Sequence, residues 1–238
     1  MKTLILDALL AARHAGVPAI LATQLPGGAQ SLILPDAILG DLALEPAVAA
    51  EAARLAAADI SRIVDGQNQR IFVQAFNPPP RLIVVGAVHI AEPLSRMAHS
   101  AGYQVIIVDP RRAYANRTRF DGAETIGGWP DEALADLALD RRTAVVTLTH
   151  DPKLDDAALL VAVRSPAFYI GCLGSRKTQD ARLKRLRLAG LGDDELARIH
   201  GPVGLAIGAL TPAEIAVSIL AEITQVRRSA LEAPRPSA

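Results

Sequence analysis

The stretch from Arg81 to Asp109, RLIVVGAVHIAEPLSRMAHSAGYQVIIVD, constrains the fold more than any other part of the chain. Arg81 to Gly86 is a short run rich in Val and Ile that stops at a glycine, as a buried parallel strand does on reaching a tight turn. Ile90, Leu94, Met97 and Ala98 then recur at helical spacing, and Gly102 stands where such a helix would end. Gln104 to Val108 is a second apolar run, closed by Asp109. The whole reads as a βαβ unit, and Asp109 follows Gly86 at close to the roughly 20-residue offset at which Rossmann folds place a carboxylate on a ribose hydroxyl.

The glycine signature is incomplete. Gly86-Ala87-Val88-His89-Ile90-Ala91 keeps the first glycine and the permitted final alanine. Val88, however, stands where a second glycine lets a pyrophosphate approach the backbone, and its side chain crowds that path. The crossover is expected as a fold element, and ordinary dinucleotide binding at this turn is disfavoured.

Composition limits what the chain can do. Half of the 238 residues are hydrophobic, enough for one medium domain and a small one. The 25 basic and 25 acidic side chains balance, which argues against a general nucleic-acid binder or a membrane-surface protein. Cys172 is the one cysteine, so neither an intramolecular disulfide nor a cysteine-based zinc site can form, and a reducing, cytoplasmic setting is expected. The N-terminal MKTLILDALLAARHAG is broken by Asp7, Arg13 and His14 and suits an amphipathic helix better than a signal peptide. Val203 to Ile223 is interrupted by Pro212, Glu214 and Glu222 and is not a membrane span.

A small α+β domain is expected over residues 1–77. It reads as a helix over 3–14, strands at 19–23 and 31–34 around Pro26-Gly27-Gly28, a helix over 46–57, and a hairpin pairing 61–64 with 70–76. Asn77-Pro78-Pro79-Pro80 cannot continue a ladder, because the prolines remove its donors, and marks a stiff connector.

The α/β alternation continues over residues 78–228. Arg111, Arg112, Arg117 and Arg119 cluster after the second strand, where they can either clamp phosphates or pair with Asp121 and Glu124 in a solvated loop. A helix at 131–138 and a buried strand at 144–148 follow, and Thr149-His150-Asp151 then falls at the strand's carboxyl end, before a helix over 155–163. Thr149, His150 and Asp151 offer ligand hydrogen bonds; capping of the strand end is the alternative. A strand over 167–172 opens onto Gly174-Ser175-Arg176-Lys177, where helix amides and two cations make an anion site. Cys172 reads as a small core residue. Arg182, Lys184, Arg185 and Arg187 on the next helix read mainly as a solvated face. Two glycines within Val203 to Gly208 suggest backbone lying close to a ligand or another segment. Thr211-Pro212-Ala213-Glu214 is a capping box starting a helix to about Arg228, with Ile215, Ile219, Leu220 and Ile223 as its buried stripe. A disordered tail is expected over 229–238.

Five segments together carry a family resemblance: VVGAVHIA, VDPR at 108–111, LTHD at 148–151, YIGCLGSR at 169–176 and HGPVGLAIGALTPAEIAVSILAEI at 200–223. In order and spacing, over about 81–226, they resemble the XdhC/CoxI family of molybdenum hydroxylase maturation factors, the xanthine dehydrogenase accessory proteins. The resemblance implies an accessory protein that binds molybdenum cofactor, as molybdopterin or its dinucleotide form, and delivers it to an apo molybdenum hydroxylase of the xanthine dehydrogenase or CO dehydrogenase type. It also implies a cysteine desulfurase as a second partner. The N-terminal segment departs from the family. The Ser-Gly-Ser, Gly-Gly-Cys-Val-Glu and Cys-Gly-Gly loops of relatives are not found in this sequence, and Gly40-Asp41-Leu42 stands as a remnant of the middle one.

The expectation is therefore an α/β protein: a Rossmann-like, mostly parallel sheet of five or six strands with helices on both faces, preceded by a small α+β domain. Its ligand site should lie over the carboxyl edge of the sheet, built from Gly86, Val88, His89, Asp109, Arg111, Thr149, His150, Asp151, Gly174, Ser175, Arg176 and Lys177. No catalytic nucleophile and no metal site are expected. The rival reading is an NAD(P)-dependent oxidoreductase or a nucleotide-binding regulatory protein using the same site. Association into a homo-oligomer is left open.

Overall fold

The computed structural model describes residues 2–111 and 119–229, and the chain divides into two compact units at Pro78/Pro79. The disordered tail expected over 229–238 falls, beyond Ser229, outside the described residues, as do Arg112 and Arg117.

The first unit is a five-stranded antiparallel sheet with one helix on each face. In chain order it comprises α1 (Thr3–His14), β1 (Ala19–Gln24), β2 (Gln30–Ile33), β3 (Ile38–Gly40), α2 (Pro46–Ala57), β4 (Arg62–Asp65) and β5 (Arg70–Phe76). The strands lie in the order β3-β2-β1-β5-β4. Alternation along β1 separates the two faces: Ala19 and Leu21 pack with Ile5, Leu9 and Ala12 of α1, whereas Ala22 packs with Val48, Ala52 and Leu55 of α2. The alanines that give α2 its helix propensity also let it lie close to the sheet.

The second unit is a parallel sheet covered on both sides. Its elements are β6 (Arg81–Val85), α3 (Ala91–Ser100), β7 (Gln104–Val108), β8 (Glu124–Ile126), α4 (Pro130–Asp136), β9 (Thr143–Thr147), α5 (Pro152–Ala162), β10 (Tyr169–Cys172), α6 (Arg176–Leu188), α7 (Asp193–Ala197), β11 (Ile199–His200) and α8 (Pro212–Ser229). All five strand pairings are parallel, in the order β11-β10-β9-β6-β7-β8. Counted from β6 in chain order this is 3-2-1-4-5-6, the doubly wound Rossmann order, and the direction of winding reverses between β6 and β9.

The apolar runs read from the sequence are the central strands. Ile83 and Val85 face a core shared with α4, α5 and α6, while Leu82 and Val84 face one shared with α3 and α8. Leu82 to Val85 are all fully buried, and each such side chain contributes on the order of 1.5–3 kcal/mol. The capping box forms as read: Glu214 accepts from the Leu210 and Thr211 amides at 2.8 Å each, and its own amide donates to Thr211 Oγ1.

Three short strands, β3, β8 and β11, have no counterpart in the sequence reading. Each has two or three residues on an edge, where pairing with one neighbour, rather than an apolar run of its own, fixes the backbone. Helix α5 begins at Pro152 rather than 155, because the Asp151 side chain accepts from the Lys153 amide at 2.9 Å and caps it. Arg182 does not belong to a solvated face. It is 2% exposed, whereas Arg185 and Arg187 do reach the surface and pair with Asp156 and Asp193.

Candidate functional site

The carboxyl ends of β6 and β9 meet at the point where the winding reverses, the place at which an open α/β sheet forms its ligand crevice. Gly86 ends β6 with φ +109°, a conformation that a side chain rarely adopts. A Cβ there would lie 2.6 Å from Thr149 Cγ2, so the Gly86 turn and the Thr149 loop are in direct contact. Beyond Gly86, α3 opens at Ala91. Ala91 N–H donates to the Val88 carbonyl, whereas the amides of Val88, His89 and Ile90 find no acceptor among the described residues. These amides are free donors at a helix start. Val88 is half-buried against the α3/α8 core, and His89 is exposed.

Asp109 is held from within. It is fully buried. Its Oδ2 accepts from the Ala87 amide at 2.8 Å and from Arg111 Nη2 at 2.7 Å, and its Oδ1 accepts from the Arg111 amide and Nε at 2.9 Å each. Four donors fill the roughly four lone-pair positions of a carboxylate. Burial pushes this carboxyl up, but the Arg111 guanidinium and the two amides prevail and hold it below the usual carboxylate range. Asp109 thus ties the Gly86 turn to the segment after β7, and it has no acceptor left for a ribose hydroxyl.

The two described arginines of the cluster pair with carboxylates other than Asp121 and Glu124. Arg111 grips Asp109, and Arg119 reaches Glu92 on α3 through Nε and Nη2.

The loop after β9 is tightly bonded. Thr149 Oγ1 donates to Asp155 Oδ1 at 2.6 Å and accepts from the Asp151 amide at 3.1 Å. His150 is exposed and sits at φ +61°, the left-handed region that costs a non-glycine residue free energy and often marks a ligand loop. Asp151 caps α5. The strand-end capping considered from the sequence is present, and of these three side chains it leaves the exposed imidazole of His150 with no described hydrogen-bond partner.

After β10, Gly174 at φ +148° turns the chain into α6. Ser175 is the N-cap: its Oγ accepts from the Thr178 amide at 3.2 Å and lies 2.9 Å from Thr178 Oγ1. Arg176 and Lys177 open the helix, both exposed, and neither has a carboxylate partner among the described residues. Two such cations at a helix start are the arrangement on which an anion site would be built. Cys172 is fully buried within β10, and burial pushes its thiol up to about 12.

Two polar groupings escaped the sequence reading. One is a buried cluster of Asp155, Gln179 and Arg182 beneath the Thr149 and Ser175 loops. The other gathers around Glu222, which accepts from Tyr169 Oη, from the Gly204 amide at 2.7 Å and from His200 Nδ1 at 3.3 Å, while the His200 ring stacks on Tyr169 at 4.7 Å. Burial raises and these bonds lower the Glu222 carboxyl, leaving it below its usual range. Glycines at 171 and 204 permit the close packing, since a Cβ at either would overlap Val203 or Ser218. Among the described residues no group of His, Cys, Asp and Glu is arranged to hold a metal ion, and no helix is long and apolar enough to cross a membrane.

Strand order defines the second unit as a Rossmann-type fold, with the Gly86, Thr149 and Gly174 loops on its carboxyl edge. Comparison with known proteins makes this specific. Residues 82–223 match the XdhC Rossmann domain, and the chain belongs to the XdhC family. Over 163 residues it is 36% identical to a probable xanthine dehydrogenase subunit of Bacillus subtilis, covering 68% of this chain and 47% of that protein. It is 31% identical over 162 residues to the molybdenum cofactor insertion chaperone PaoD of Escherichia coli, covering 68% and 45%. The chain spans less than half the length of these curated relatives. A crystal structure of a xanthine dehydrogenase from Bacillus halodurans superposes with a TM-score of 0.75 at 25% identity, covering 97% of this chain and 66% of that one.

Proposed function

We propose that this protein assists the maturation of a molybdenum hydroxylase by binding molybdenum cofactor over the carboxyl edge of its parallel sheet and delivering it to the apo enzyme. The names of two relatives, one a molybdenum cofactor insertion chaperone and the other part of a xanthine dehydrogenase, support a maturation role. The observation that carries the reading is the pair of exposed cations on the Gly174–Lys177 turn, together with the open amides of Val88 to Ile90 on the same carboxyl edge of the sheet. This donor set fits the phosphate of the pterin, whose metal travels as cargo rather than as a resident cofactor. Free amides and two cations meet a phosphate with charge-assisted hydrogen bonds. His150, exposed on the loop after β9, is a polar group available to the pterin ring.

On this reading the partners are an apo hydroxylase of the xanthine dehydrogenase or CO dehydrogenase type and a cysteine desulfurase. NAD(P) fits less well, because the Asp109 carboxylate is saturated and Val88 occupies the path of the pyrophosphate.

The test is a titration of folded parent and Arg176→Ala with isolated molybdenum cofactor. Loss of a charge-assisted bond to phosphate should weaken binding by roughly 1.5–3 kcal/mol, about 10- to 150-fold. Equal affinities would remove Arg176 from the site. Mass spectrometry of ligand released from protein purified from its native host provides the second readout: a pterin supports the reading, and a nicotinamide replaces it with the oxidoreductase.

A further inference from the structure

Beneath the two loops assigned to the cargo lies an ion pair shut off from solvent. Asp155, in the first turn of α5, is 1% exposed, and Arg182 on α6 is 2% exposed. Their closest approach is 3.5 Å, between Asp155 Oδ2 and Arg182 Nη2, and both Asp155 Oδ2 and Arg182 Nε lack a hydrogen bond. Burying two charges costs several kcal/mol each, and an apolar pair of similar volume often serves stability as well or better. Stability alone therefore does not account for a buried pair with unsatisfied atoms.

Its connections do. Asp155 Oδ1 accepts from the Thr149 hydroxyl at 2.6 Å and from the Thr149 amide at 3.3 Å, holding the loop after β9. Arg182 Nη2 donates to the Leu173 carbonyl at 2.8 Å, immediately before Gly174 and Ser175, holding the turn after β10. Arg182 Nη1 donates at 2.7 Å to Gln179. Gln179 in turn fills the space that a Cβ on Gly201 would occupy, at 2.2 Å, in the segment after β11. The pair has one member under each loop, and Gln179 extends the support to the next connection.

We infer that Asp155 and Arg182 are positioning residues of the ligand site: a buried charge pair that locks the Thr149–Asp151 loop to the Leu173–Lys177 turn, so that both present their donors as one unit. What is gripped rests on the cofactor-binding reading; the coupling of the loops does not. If Asp155 loses its charge, Arg182 is left buried without a counter-ion, turns away, and releases the Leu173 carbonyl. If Arg182 is removed, Asp155 is the unpaired charge, and Thr149 loses its anchor. Each loop therefore responds to a change beneath the other, and reciprocally.

The experiment is site-resolved amide hydrogen exchange on the full chain, comparing parent, Asp155→Asn and Arg182→Met. Asp155→Asn should speed exchange at the Thr178 and Gln179 amides at least tenfold. Arg182→Met should do the same at the Thr149, Asp151 and Lys153 amides. Both should leave the amides of Val84 and Ile107 in β6 and β7 unchanged. Loosening confined to the loop nearest each substitution overturns the inference. Should the strand amides also exchange faster, showing general destabilisation, Thr149→Val decides, since it keeps both charges and removes one hydroxyl. It should still speed exchange at Thr178 and Gln179, and no change there overturns the inference. Titration with isolated molybdenum cofactor separates the two claims. Binding by the parent that Asp155→Asn leaves equally tight refutes a role in positioning the site. If the parent does not bind, the cofactor reading falls, and the exchange data still decide the coupling.

Discussion

Replacing Gly86 with alanine probes the contact on which the proposed crevice depends. Two costs combine. The backbone sits at φ +109°, outside the wells of an L-residue, and holding alanine there costs roughly 1–3 kcal/mol. The added Cβ also lies 2.6 Å from Thr149 Cγ2 and 3.3 Å from the Thr149 amide nitrogen, against about 3.5–4.0 Å for ordinary carbon contact. Relieving that overlap means moving a β-branched side chain whose hydroxyl is bonded to Asp155, an overpacking cost of roughly 1–3 kcal/mol.

The sum, about 4 kcal/mol at its centre, corresponds to a fall of roughly 8–16 °C in Tm for a unit of this size. Chemical denaturation followed by circular dichroism measures it directly. The double variant Gly86→Ala/Thr149→Ser removes the clashing methyl but keeps the hydroxyl for Asp155. It should regain the steric share, roughly 1–3 kcal/mol, and leave the backbone share in place. A loss below about 1 kcal/mol in the single variant, or no recovery in the double, would refute the reasoning.

The Cys172 thiol, buried and raised to about 12, should resist alkylation at pH 8 in the native protein and react only on unfolding; rapid native labelling by mass spectrometry would contradict its burial. Tyr169→Phe takes one of three donors from Glu222 and should lower stability by roughly 1.5–3 kcal/mol in urea titration, with a change under about 0.5 kcal/mol showing that the bond contributes little. Asp109 and Glu222 have folded values below their ordinary ones, so the stability they supply is complete above the usual carboxylate range and is lost as pH falls through and below it. Asp155 is raised, chiefly by burial, and acts with the opposite sign: its contribution favours the fold at low pH and fades as pH rises. Asp155→Asn should therefore steepen the acid limb of a Tm-against-pH curve, and a shallower limb would show that the signs are wrong.

The fold was largely legible because its central strands are buried on both faces. LIVV, VIIV and AVVT need no partner to be recognised, and the turn glycines and Thr211 capping box mark where helices start and stop. Strands β8 and β11 were not legible, because ETI and IH take their conformation from a neighbouring strand rather than from their own side chains. The offset between Gly86 and Asp109 could be read, but saturation of that carboxylate depends on the fold bringing the Ala87 amide and the Arg111 fork to it together. Arg182 looked solvated because charge outweighed position. Gln179, Arg182 and Leu186 recur at helical spacing and form the buried side of α6, and a cation on such a stripe is the signal that could have pointed to Asp155.

The way Asp109 is held restricts how this fold could acquire a nucleotide site. In a dinucleotide enzyme the carboxylate after the second strand faces the crevice; here it is turned inward, neutralised two residues along the chain and bonded to the backbone of the first turn. Restoring a glycine at Val88 would reopen the path for a pyrophosphate and still leave the ribose with no acceptor. Removing Arg111 would free the carboxylate at the cost of a buried, less compensated charge beside the Gly86 turn. Neither step alone gives a working nucleotide site, and the second loosens the turn on which the first depends. A nucleotide site here thus needs two changes that work against each other, so drift at a single position does not create one.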